Sequence, residues 1–78
     1  MLYQQGKIKE AAEVCRKGLV FIPDSSLLHF SLGLILHKQG HKEAAIKELY
    51  ITLELDPNSL EARKILEAML KDSAQTLR

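Results

Sequence analysis

The chain has 78 residues, 46% hydrophobic and 27% charged, which makes one small domain that buries only about 60% of its unfolded surface. Eleven Lys and Arg balance ten Asp and Glu, whereas a nucleic-acid-binding protein usually carries a clustered basic excess. The lone cysteine, Cys15, excludes an internal disulfide, and the most apolar stretch, Leu27 to Leu36, falls well short of the roughly 20 residues that span a bilayer.

The first two helices are predicted from apolar residues that recur at steps of three and four. One helix covers Lys7 to about Phe21, and Pro23 ends it. Its inner face is expected to hold Ile8, Ala11, Ala12, Cys15, Leu19 and Ile22. The side-chain oxygens of residues 24–26 can then cap a second helix, which runs to about Lys38.

This second helix differs from the first because it is apolar on two faces. One stripe consists of Leu28, Leu32, Ile35 and Leu36. The nearly opposite stripe consists of Leu27, Phe30 and Leu34. A helix of this kind is either sandwiched between neighbouring helices or exposes an apolar patch.

Two further helices follow. Gly40 allows a tight reversal into a third helix over Lys42–Leu55. The inner face of that helix is expected to hold Ala45, Ile46, Leu49, Thr52 and Leu53. Asn58 and Glu61 have the spacing of a capping box that opens a fourth helix. Its inner face is expected to hold Ala62, Ile65, Leu66, Met69 and Leu70. The tail from Asp72 to Arg78 is expected to fray.

The chain repeats itself with a period of 34 residues. Gly6, Ala11, Leu19, Pro23 and Ser25 reappear as Gly40, Ala45, Leu53, Pro57 and Ser59. A unit of this length holds two helices between a glycine and a proline. Because one such unit cannot bury its apolar face alone, it must stack on neighbouring units.

The pattern resembles the tetratricopeptide repeat (TPR) family, whose 34-residue unit has a Leu-Gly pair, a later close-packing Ala and a closing Pro. Residues 26–59 resemble one whole repeat. The residues that carry the resemblance are Leu32, Gly33, Gly40, Ala45 and Pro57 in that repeat, with Gly6, Ala11 and Pro23 in a partial repeat before it. The residues that depart from the family pattern are His29, Leu36, Leu49 and Thr52.

The resemblance implies an all-α fold of antiparallel helix-turn-helix repeats, stacked as a short right-handed α-solenoid. Residues 1–25 would form the second half of a repeat, residues 26–59 a full repeat, and residues 60–78 the first or capping helix of another. Within the full repeat, a small residue at Gly33 would let the two helices approach each other, with Ala45 facing it.

The resemblance further implies that the first helix of each repeat lines a concave groove for a partner peptide. The residues expected in it are Tyr3, Leu27, Phe30, Leu34, His37, Lys38, Lys64 and Lys71. We expect flanking helices to cover much of Leu27 and Leu34. Some family members clamp a terminal carboxylate through Asn and basic residues, but the stripe here offers Leu34, so an apolar or amphipathic ligand suits it better.

Catalytic and metal-binding constellations do not emerge from the pattern. His37 and His41 have a spacing that can hold zinc, but a glycine turn separates them and no third ligand is nearby, so we interpret them as a solvated pair. We interpret His29 as a packing residue in place of an aromatic, and Cys15 as a reduced, packed thiol. We therefore expect no enzyme activity, no metal and no cofactor.

Three functions remain open. The first is a scaffold that binds a protein or peptide partner in the groove. The second is an assembly module, either a homodimer formed through the open amino end or a fragment of a longer TPR array, because one whole repeat is fewer than the about three that are normally needed. The third, an RNA-binding repeat, is disfavoured by the balanced charge. With no secretory signal visible, we expect a cytoplasmic or alternatively nuclear protein without membrane or nucleic-acid partners.

Overall fold

The computed structural model describes the backbone of residues 5–76 and the side chains of residues 7–71. Within that range the chain is all-helical, with no strand, as the periodicity predicts. The four helices are α1 Gln5–Phe21, α2 Ser26–Lys38, α3 Lys42–Leu55 and α4 Leu60–Thr76. Three turns of three or four residues connect them, and connections this short make consecutive helices antiparallel.

The ends of α2 are closed by local hydrogen bonds. At its start the backbone N–H of Leu28 donates to the Ser25 hydroxyl at 3.2 Å, so the serine is the N-cap. At its end Gly40 adopts a φ of 88°, while the backbone N–H of His41 donates to the Leu36 carbonyl at 2.9 Å. This pair of features is the Schellman motif, and it reverses the chain into α3.

The start of α4 differs from the predicted capping box. Ser59 is the capping residue, because its hydroxyl accepts a hydrogen bond of 3.4 Å from the backbone N–H of Ala62. The backbone N–H of Asn58 instead donates to the Asp56 carboxylate at 3.3 Å. Asn58 therefore belongs to an Asx turn before the helix, and the prediction that it pairs with Glu61 is wrong.

Each helix packs mainly on its neighbours in the sequence, and the most extensive contact is between α2 and α3. The molecule measures 40 × 32 × 17 Å, with a radius of gyration of 12.7 Å for its Cα atoms. A compact domain of this length would have a radius of gyration of roughly 11.5 Å. The molecule is thus a flattened slab of helices, as expected for stacked helical hairpins.

A continuous apolar core runs through all four helices. Its buried members are Ala12, Cys15, Leu32, Leu36, Ala45, Leu49, Ala62, Leu66 and Met69. Thr52 is buried among them, and its hydroxyl donates to the Glu48 carbonyl at 2.8 Å, so no polar atom is left unpaired there. The core therefore follows the predicted inner faces closely.

The tightest approach between helices occurs at Gly33, which is buried in α2. A Cβ atom placed on this glycine would lie 3.4 Å from the Ala45 carbonyl oxygen, from the Glu48 Cβ and from a Leu49 methyl. The predicted close contact between Gly33 and Ala45 is confirmed, because α3 leaves room beside Gly33 for little more than a methyl group.

Four details of the sequence prediction are corrected. Ile22 is exposed, because α1 ends at Phe21 and the helical phase no longer applies beyond it. Leu70 is also exposed on α4 rather than part of the core. The helix α4 continues to Thr76, so the backbone at the start of the expected frayed tail is helical. Gly6 is the second residue of α1, whereas Gly40 lies in a turn, so the two glycines are not structurally equivalent.

Candidate functional site

The candidate site is the side of α2 that faces away from α3. Leu32, Gly33 and Leu36 are buried on the other side of the helix. Of the predicted groove residues, Leu27 is 70% exposed, and His37 and Lys38 are exposed too. The expectation that neighbouring helices cover Leu27 is wrong, because no described helix packs over the first turn of α2 on that side.

A cleft of about 480 Å³ lies between α1 and α2 on this side of the slab. It is lined by Lys7, Ile8, Ala11, Ser31, Leu34, Ile35 and Lys38. Its floor is apolar, and one lysine from each helix lies at the amino end of α1 and the carboxyl end of α2. Two predicted groove residues, Leu34 and Lys38, therefore line a cavity of the size that holds several side chains.

The other predicted groove residues are more scattered. Phe30 is half-buried and packs against the core, so its ring contributes to folding as well as to this surface. Lys64 and Lys71 are exposed on α4. Tyr3 lies outside the described residues. The lysines of α4 do not line the cleft between α1 and α2.

A polar cluster that sequence reasoning missed is centred on His29. Its Nδ1 lies 2.7 Å from Glu48 Oε1 on α3, and its Nε2 lies 3.0 Å from the Pro23 carbonyl oxygen. The two side chains are only 13% and 20% exposed. His29 is thus not a simple packing residue, because it connects α2 both to α3 and to the turn that precedes it.

Both partners of the His29 ring can only accept hydrogen bonds. A neutral imidazole has a single N–H, so only the protonated ring donates to Glu48 and to Pro23 at once. Burial disfavours the charged ring, but the hydrogen bonds to Glu48 and the Pro23 carbonyl and the charges of Glu48 and Asp24 outweigh it. The pKa of His29 is therefore raised above its ordinary value of 6.5.

The 34-residue period reproduces this contact in the next repeat with a different side chain. Residue 63 is the equivalent of residue 29, and the Arg63 guanidinium donates to the Pro57 carbonyl at 3.3 Å. In both repeats, then, a side chain from the first turn of one helix holds the proline carbonyl of the turn before it. The arginine is always charged, whereas the histidine holds both of its partners only when protonated.

Reactive and metal-binding groups do not assemble in the described part of the chain. Cys15 is buried, and burial raises the pKa of its thiol, so the sulfur is poorly nucleophilic. Within residues 7–71 no three His, Cys, Asp or Glu side chains come together as a metal site. None of the described helices has both the length and the apolar character needed to cross a membrane.

Comparison with known proteins adds no family assignment. No protein-family model matches the chain, and no curated protein matches it either.

Proposed function

We propose that this chain is a non-catalytic protein-binding module of the TPR type, which holds an apolar or amphipathic peptide of a partner protein in the groove along α2. The observation that supports the proposal most is the cleft between α1 and α2. Its apolar lining includes Ile8, Leu34 and Ile35, and it lies beside the exposed carboxyl end of α2. Concave, mostly apolar clefts with a few polar groups are typical of binding sites.

The charges at the cleft refine the kind of peptide. Lys7 and Lys38 both line it, and the described lining residues include no carboxylate. An apolar side chain of the peptide would fill the floor, and an acidic side chain beside it would lie near Lys7. TPR-type grooves hold peptides in extended or helical form. The straight, antiparallel helices α1 and α2 that line the cleft here suit either conformation.

Peptide selection on the immobilised protein, followed by calorimetric titration of the selected peptide, tests the proposal. Leu34→Asp puts a charge on the cleft floor and should weaken binding by tenfold or more, about 1.4 kcal/mol. Leu70→Asp is the matched control, because this leucine is also partly exposed but lies on α4, away from the cleft. Far-ultraviolet circular dichroism verifies that both variants fold. Failure to select any peptide, or equal affinity for both variants, would contradict the groove assignment.

A further inference from the structure

Five of the nine large apolar side chains that are exposed among residues 7–71 lie around two turns at one edge of the molecule. The α1–α2 and α3–α4 turns lie at the same edge because consecutive helices are antiparallel, and the α2–α3 turn lies at the opposite edge. The first edge, called here the apolar edge, carries exposed Val20, Phe21, Ile22, Leu55 and Leu60. The opposite turn, residues 37–43, contains no apolar residue at all.

The most exposed of these apolar side chains contribute little to the packing of the fold. Phe21 is 83% exposed and Val20 is 75% exposed, so neither packs in the core. The position equivalent to Val20 in the next repeat is Glu54, which shows that a charged residue is compatible with the same place in the fold. Large apolar side chains that are clustered, exposed and not packed against the rest of the chain are typical of an interaction surface.

The charges along the apolar edge are divided into two halves. Residues 14–23 contain Arg16 and Lys17 and no acidic residue, and these cations lie one helical turn before Val20 and Phe21. Residues 54–61 contain three acidic residues and no Lys or Arg. In that second half, exposed Glu54 and Glu61 are the direct sequence neighbours of Leu55 and Leu60.

Each half also carries charges of the opposite sign. Asp24 is exposed in the first turn, and Arg63 and Lys64 are exposed near the start of α4. Arg16 and Lys17 against Asp24 leave the first half with a net charge of +1, and Glu54, Asp56 and Glu61 against Arg63 and Lys64 leave the second half with −1.

We infer that the apolar edge binds a second copy of this chain in an antiparallel, two-fold arrangement. A two-fold axis through the middle of the edge places the basic half of each copy against the acidic half of the other. The two charged contacts are equivalent by symmetry, and the apolar side chains lie between them. An arrangement in which each half faces the same half of the other copy would set like charges against each other. The opposite net charges of the two halves therefore favour a second copy in this orientation over one in which equal halves meet.

The size of the edge fits this occupant. Two interaxial steps of 8–10 Å place the two turns at most about 20 Å apart. A large apolar side chain has a full accessible area of roughly 150–200 Å². With their exposed fractions applied, the five side chains together expose roughly 500 Å². A standard interface buries about 800 Å² per partner, so the flanking charged side chains supply the remainder. The cleft between α1 and α2 is lined by the start of α1 and the carboxyl-terminal half of α2, toward the opposite edge, so it stays outside this contact and the dimer would present two clefts.

Light scattering and sedimentation over several decades of concentration test the inference on the full chain. The wild type should form a dimer, and Phe21→Ser, which alters an exposed side chain, should weaken it at least tenfold. Leu34→Asp, on the cleft floor beside Ile8 at the amino end of α1, should leave the mass unchanged. A wild-type monomer at all concentrations overturns the inference, and so does a dimer broken by Leu34→Asp but not by Phe21→Ser.

A charge exchange tests the antiparallel orientation. Lys17→Glu and Glu54→Lys should each weaken the dimer about tenfold, while the double variant should restore it, because the reversed charges face each other again. Two single variants that weaken the dimer without recovery in the double variant overturn the proposed orientation. None of these results depends on whether the groove binds a peptide, so the two proposals fail independently.

Discussion

Raising the pH from about 5.5 to about 8.5 should destabilise the fold through one residue, His29. Its folded pKa is raised above the ordinary value of 6.5, so the folded state holds the proton more tightly than the unfolded chain does. The stabilisation is fully present below the unfolded pKa and is lost as the pH rises through the folded pKa. Above that pH the neutral ring keeps only one of its two hydrogen bonds.

The size of the effect follows from the contacts that are lost. A hydrogen bond to a charged group contributes about 1.5–3 kcal/mol, and the 13% and 20% exposure of the two side chains moderates the value. We expect the free energy of unfolding to fall by about 1–2 kcal/mol across this pH range, with the midpoint of thermal unfolding falling by about 4–8 °C for each kcal/mol.

Urea unfolding of the wild type and of His29→Gln at both ends of the pH range isolates this contribution. The stability difference between the two proteins should be largest at the acidic end and should shrink as the pH rises. His41→Gln, which alters an exposed histidine in the opposite turn, is the matched control and should retain the wild-type pH dependence. A stability difference that stays constant with pH, or that grows toward the alkaline end, would refute the proposed role of the protonated ring.

Three further predictions concern the helix contacts and caps, all measured as free energies of unfolding in urea. Gly33→Leu should cost about 1–3 kcal/mol by overpacking. Gly33→Ala should cost little, because the added methyl group meets α3 at an ordinary 3.4 Å and alanine has the higher helix propensity. Equal costs for the two variants would contradict the close contact. Gly40→Ala should cost about 1–2 kcal/mol purely through its positive φ, because nothing lies within 4 Å of the added Cβ, and no loss would contradict the assigned turn. Ser25→Ala should cost about 1 kcal/mol by removing the N-cap of α2, while Ser26→Ala, one residue inside the helix, should cost much less.

The helices and the core were predictable from the sequence because both depend on local periodicity. The range of α3, the end of α2 at Lys38 and the close approach at Gly33 all follow from spacing and turn residues. The side-chain partner of His29 was not predictable in this way, because Glu48 lies 19 residues away on a different helix. The exposure of Ile22 was missed because the end of α1 shifts the residue out of the helical phase, and boundaries are set by local geometry that periodicity does not report.

The repeated contact to a proline carbonyl connects the fold to the proposed dimer surface. At His29 and at Arg63 a side chain from the first turn of a helix holds the turn before it, so the two turns at the apolar edge are each secured by a hydrogen bond. A surface that is already ordered loses less conformational entropy on binding, and this favours association at that edge. Only the first of these turns depends on a titrating residue. A neutral ring that gives its one N–H to the charged Glu48 leaves the Pro23 carbonyl without this hydrogen bond, so loss of the His29 proton should loosen the half of the edge next to Phe21 and leave the half next to Leu60 unchanged.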